Sequence, residues 1–128
     1  MKKLKAFNQA VLDIDFADSV ITELSDKIQE IGTIEIAPSF TLKSGSTIKQ
    51  FIYGVGILNN QITACEELGI DPAEHKQMKS NAIELKGLVE ELDNWRRFLY
   101  SLQDYKSELF ALLDDKERFQ LMEYPTKP

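Results

Sequence analysis

The chain has one histidine, His75, and one cysteine, Cys65, and this bounds its chemistry. A serine or cysteine nucleophile needs an imidazole base, and a zinc site needs several nitrogen or sulfur ligands. Each such arrangement would have to use His75. It falls in the first turn of an expected helix, between Glu74 and Lys76, where an exposed side chain is expected. Cys65 follows Ile62-Thr63-Ala64, a setting that suits a small residue packed in a helix. A single cysteine also excludes an intramolecular disulfide. The residue inventory therefore points to a protein that is not an enzyme and carries no cofactor.

Carboxylates are more abundant. Glu66-Glu67 and Asp71 lie around one expected turn, and Glu90, Glu91 and Asp93 lie on the helix that follows. All-α nucleotide pyrophosphohydrolases hold magnesium with Glu-Glu-x-x-Glu on one helix and Glu-x-x-Asp on the next. The pair of motifs does not occur here: Glu-Glu-x-x-Glu is absent, and Glu90-Glu91-Leu92-Asp93 offers the second spacing without the first. The acidic residues read as a solvated face, and a helical magnesium-dependent nucleotide hydrolase stays a remote alternative.

A better candidate is the run Lys43-Ser44-Gly45-Ser46-Thr47, which leads into a helix with Lys49 in its first turn. Free amides at a helix start, a glycine, hydroxyls and flanking lysines suit a phosphate or another anion. The candidate anion residues are Lys43, Gly45, Ser46, Thr47 and Lys49. The Gly-x-x-x-x-Gly-Lys pattern of a phosphate-binding loop is absent, and turn and cap chemistry accounts for the same residues. The densest aromatic and arginine cluster is Asn94-Trp95-Arg96-Arg97-Phe98-Leu99-Tyr100. Tryptophan, tyrosine and arginine dominate interface hot spots. The candidate partner-interface residues are Trp95, Arg96, Arg97, Phe98, Tyr100, Leu102 and Tyr105.

These residues need elements to place them. From 71 to 113 the chain opens with Asp71-Pro72-Ala73-Glu74 and then runs without a proline. Apolar residues recur at Met78, Leu85, Leu88, Leu92, Trp95, Leu99, Leu102, Leu109 and Leu113, at spacings of three, four and seven. That period predicts one long helix over about 72–113. Asp93-Asn94 offers a site for a break, because either residue can cap a new helix. Asp71, Pro72 and Glu74 form a helix-start signal, and Gly69 just before them ends a helix over 47–68 that Ser46 can cap. The two should form an antiparallel hairpin. Gly54 and Gly56 inside the earlier helix weaken it, which calls for close approach of another helix or a ligand. Asp114-Asp115-Lys116-Glu117 starts a short last helix that Phe119 and Met122 are expected to dock, and 125–128 reads as a tail.

At the other end, Leu4, Phe7, Val11, Ile14, Ala17, Ile21, Leu24, Ile28 and Ile31 share one helical stripe that stops at Gly32. Leu12 to Phe16 also alternates as a strand would, but the stripe favours a continuous helix. Over 33–43 the period changes to two, with Ile34, Ile36, Phe40 and Leu42 alternating with polar residues and Pro38 marking a bend, an edge or a turn. A lone hairpin is marginal in water. The segment should lie on helices, pair with the 12–16 stretch, or pair with a second subunit.

The expected fold is mainly α: a helical bundle or hairpin with one long C-terminal helix and a short extended β segment, forming one domain over 1–124. The charge of −6 on 128 residues repels phosphate backbones, so nucleic acid is an unlikely partner. The basic start lacks the apolar stretch of a signal peptide, and the longest apolar run, 51–58, is too short to span a membrane. A cytoplasmic protein is expected. The half of the long helix beyond Trp95 has a surplus apolar seam. The leading expectation is a homo-oligomer, a dimer above all, that binds a protein partner as a small acidic inhibitor, adaptor or assembly factor. Such proteins are common among phage and mobile-element products. The alternative is an oligomeric binder of phosphate-bearing ligands such as nucleotides.

Overall fold

The computed structural model describes residues 2–123. Among them are four helices and one two-stranded sheet: α1 (Lys2–Ile31), β1 (Ile34–Ala37), β2 (Phe40–Leu42), α2 (Ile48–Glu67), α3 (Ala73–Leu112) and α4 (Asp115–Glu123). The mainly helical architecture and the long C-terminal helix are as the periodicity predicts. The chain groups into two compact units. One holds the stretch up to Glu23 together with that from Asp93 onward; the other is Leu24–Leu92. Helices α1 and α3 each contribute to both. The expected tail, 125–128, lies outside the described residues.

Helix α1 is continuous through the ambiguous 12–16 stretch. Its stripe is the reason. Phe7, Val11, Ile14, Ala17, Leu24 and Ile28 are all buried, which a local strand would prevent by turning alternate residues outward. Gly32 ends the helix at φ 70°, and its N–H donates to the Ile28 carbonyl at 3.0 Å. A residue with a Cβ is disfavoured there, which is why glycine follows the stripe.

In the Leu24–Leu92 unit, 33–43 pairs with itself. Strands β1 and β2 run antiparallel with Ile34 opposite Leu42, Glu35 opposite Thr41 and Ala37 opposite Phe40, with an irregularity between Glu35 and Ala37. Pro38 sits in the turn. Such a small ribbon needs an apolar support. Ile34, Ile36 and Leu42 are buried, and α2 receives the ribbon at Gly54. A Cβ on Gly54 would lie 2.8 Å from Ile36 Cδ1, 2.9 Å from Leu42 Cδ1 and 3.2 Å from Phe40 Cε1. The Phe40 and Tyr53 rings stand 5.8 Å apart beside it. Gly54 thus meets a hairpin, not a ligand or a helix. Gly56 has nothing within 4 Å of its Cβ position, so no packing accounts for it.

Helix α2 starts one residue later than expected. Thr47, not Ser46, is its cap. The Thr47 hydroxyl accepts from the Gln50 N–H, and the Gln50 carboxamide oxygen accepts from the Thr47 N–H at 2.7 Å. Ser46 belongs to the preceding turn, where its hydroxyl accepts from the Lys43 N–H. At the other end Gly69 adopts φ 71°, with Ile70 N–H donating to the Cys65 carbonyl and Gly69 N–H to that of Glu66. This pair of bonds closes the helix and turns the chain back. Asp71 then accepts from the Ala73 N–H at 3.0 Å, opening α3.

Helix α3 runs through Asp93-Asn94 without a break. Asp93 instead bonds Arg97 one turn on, at 2.8 Å. Ala82, fully buried, occupies the gap in the seam between Met78 and Leu85. Asp114 and Glu117 form a reciprocal cap for α4, each side chain accepting from the other's N–H. Phe119 does not dock α4. It is 65% exposed, and Leu121 packs on the core in its place. Phe119 points away because the two residues stand about 200° apart on a helix. The expectation for the Met122 side chain falls outside what is described.

Candidate functional site

The core of the other unit is Phe7, Ala10, Val11, Leu109 and Leu113, flanked by Leu4, Ala6 and Leu121. The N-terminal half of α1 therefore covers the distal half of α3, the stretch whose partner the sequence left open. The two run antiparallel: Phe7 meets Phe110 at 5.9 Å, and Phe16 meets Trp95 at 5.9 Å. Lys106 fills the second gap in the seam with its stem, and its ammonium lies 5.8 Å from the centre of the Phe7 ring. Arg118 of α4 stands 4.9 Å over the Phe110 ring and donates to the Phe110 and Ala111 carbonyls, orphan acceptors at the end of α3.

On this scaffold sits a ladder of three rings, the outer two exposed and the middle one, Trp95, half-buried. The Phe16 ring is edge-on to Trp95, and Trp95 is edge-on to Phe98 at 5.7 Å. Phe16 stays 61% exposed and Phe98 48%. Leu12, one turn before Phe16 on the same face of α1, is also exposed. Along α3, Phe98, Tyr105 and Leu112 recur every seven residues and are all exposed. Seven residues return to within about 20° of the same direction, so the three form one line beside the buried seam.

The predicted interface residues divide accordingly. Trp95 and Phe98 are in the ladder, and Tyr105 continues its line. Leu102 is half-buried in the seam between them. Arg97 turns to Asp93. Arg96 and Tyr100 lie roughly 160° from Phe98 around the helix, on the other side. Phe16 and Leu12 were not predicted. Their signal was present: two large apolar residues, four apart, off the stripe that α1 buries.

The candidate anion residues lie in the Leu24–Leu92 unit. Lys43, Gly45, Thr47 and Lys49 are exposed and Ser46 is half-buried. Their hydroxyls are engaged in the turn and the cap. The Gly54 end of this region is filled by Ile36, Leu42 and Phe40.

His75 is half-buried, not exposed as expected, because the hairpin brings its Nδ1 to 3.9 Å from Cys65 Sγ. No third polar group orients the pair among the described residues. Glu90 is tied to Lys86 at 2.7 Å, and among the described residues no three histidine, cysteine or carboxylate side chains converge as a metal ion requires. Among the same residues no helix is long and apolar enough to cross a membrane. Comparison with protein-family models, with curated proteins and with solved structures yields no match, so the aromatic ladder must be interpreted from its own chemistry.

Proposed function

We propose that this chain is a non-enzymatic protein-binding module of the cell interior that self-associates, and that Phe16, Trp95 and Phe98 form the centre of its contact surface. The observation that carries this is that the outer rings of the ladder, Phe16 and Phe98, are left in water on either side of Trp95. Helices α1 and α3 bury or half-bury an apolar stripe that includes Trp95 and still hold the Phe16 and Phe98 rings outside it. Burying one such ring on association contributes roughly 1.5–3 kcal/mol. The T-shaped contacts hold the rings in place beforehand, which lowers the ordering cost of binding. A second copy would extend the ladder, and a partner with an apolar centre and a basic rim would complement the charge of −6.

Trp95 is the only tryptophan, so its emission reports directly on this surface. Dilution from about 100 µM to about 0.1 µM should move the emission maximum to longer wavelength as the interface opens, over the range a modest interface implies. An emission maximum constant across that range, with a monomer mass of 14.6 kDa by sizing at the top concentration, would remove support for self-association.

A further inference from the structure

We propose that the groove between α2 and α3 in the Leu24–Leu92 unit is a binding site for a small phosphate-bearing molecule with a flat apolar part. The groove has a volume of about 580 Å³, within the range of small-ligand sites. Asn59, Ile62 and Thr63 line it from α2, and Lys76, Lys79, Ser80 and Ile83 from α3. In a chain of 21 acidic and 15 basic residues, this lining holds two lysines and no carboxylate.

The spacing puts these groups to one use. Lys76, Lys79 and Ser80 stand at i, i+3 and i+4, and Asn59 and Thr63 at i and i+4, so each set shares a face. Among the described residues neither lysine is engaged in an ion pair, and Asn59, Thr63 and Ser80 spend no side-chain hydrogen bond on the protein. Two ammonium groups, two hydroxyls and a carboxamide thus remain to meet phosphate oxygens. Ile62 is buried, whereas Ile83 is 51% exposed one turn beyond Lys79 and Ser80. An apolar lip beside a cationic end suits a ligand that is anionic at one end and flat at the other, as a nucleotide is. A long nucleic acid fits poorly, since the charge of −6 opposes a polyanion beyond the groove.

The site is independent of the aromatic ladder, which lies in the other unit. It is tested by titrating isotope-labelled protein with ATP, inorganic phosphate and adenosine and following backbone amides by NMR. ATP should give saturable shifts confined to 59–63 and 76–83, inorganic phosphate a weaker response at the same amides, and adenosine none that saturates. Lys76→Gln with Lys79→Gln should weaken ATP binding by about tenfold or more, the loss of charge-assisted bonds. Ile83→Glu, at an exposed position, should do the same by placing a carboxylate at the lip. Lys49→Gln, at the start of α2, should leave the affinity unchanged. The proposal fails if about 10 mM ATP produces no localised shift, a concentration that would reveal even millimolar affinity. It also fails if the shifts centre on 43–50, if both groove variants bind like the parent, or if a single-stranded oligonucleotide binds more tightly than ATP.

Discussion

Replacing Gly54 with valine is expected to destabilise the Leu24–Leu92 unit by about 3 kcal/mol, the upper range for overpacking a filled core. The β-ribbon packs on α2, and it reaches the helix backbone because Gly54 carries no side chain. A single added Cβ would already stand inside the contact distance of Ile36 and Leu42, at 2.8 Å and 2.9 Å. Leu42 is fully buried, so its methyl group has nowhere to move without displacing the ribbon. The two further methyl groups of valine compound the clash. Alanine should cost less, because the atoms it meets are the ends of branched side chains and helix propensity favours it by about 1 kcal/mol. Gly56→Ala, in open space, should by the same propensity stabilise by roughly 0.5–1 kcal/mol. Chemical denaturation of the three variants checks the set. Equal effects at 54 and 56 would show that the ribbon does not rest on Gly54.

Phe7→Ala should destabilise by about 3–4 kcal/mol, as expected for removal of a large core ring. Phe7 is 6% exposed and stands where α1, α3 and α4 meet, against Leu109, Leu113 and the Phe110 ring, with Lys106 above it. Its loss would leave a cavity and free the pairing of α1 with α3. The Phe16–Trp95 contact depends on that same pairing two turns or more away. Hydrogen exchange should therefore accelerate in 4–22 and 95–121, and Trp95 should lose its structured environment. Amides of the β-ribbon and α2 should retain more protection, because they belong to the other unit and Phe7 is part of a separate core cluster. Uniform loss of protection in both units would contradict this assignment.

Much of the fold could be read from local pattern. The α1 stripe is continuous over nine positions and outweighs the local alternation at 12–16. The caps at Gly69 and Asp114 have short-range chemistry that a sequence displays in full. By residue type alone Ser46 and Thr47 are equivalent caps for α2. The glutamine three residues after Thr47 distinguishes them, since it completes the reciprocal cap. The seat of the β-ribbon was not legible. Two glycines stood out, but only geometry shows that Gly54 meets Ile36 and Leu42 while Gly56 meets nothing.

The candidate surface was half legible for a similar reason. Trp95 and Phe98 are close in sequence and dense in aromatic character. Arg96 and Tyr100 shared that density, yet the helix sends them to the other side. Phe16 comes from far along the chain, and only the antiparallel pairing of α1 with α3 brings its ring to Trp95. The juxtaposition of Cys65 with His75 was likewise a product of the hairpin, since each residue alone had an ordinary setting.

The surplus apolar seam that suggested an oligomer is largely covered within the chain. What remains exposed is narrower: Phe16 and Phe98 on either side of the half-buried Trp95, and the line through Tyr105 and Leu112. Sedimentation of the parent protein beside the Phe16→Ser, Phe98→Ser double variant tests the proposed function most directly. Both residues are about half exposed or more, so the substitutions should leave thermal stability within a few degrees. The parent should sediment as a dimer at tens of micromolar and the variant as a monomer, with a dissociation constant raised by about a hundredfold for two lost ring contacts. A parent protein that is monomeric at these concentrations, or a variant that associates as strongly as the parent, would contradict the assignment of this surface to binding.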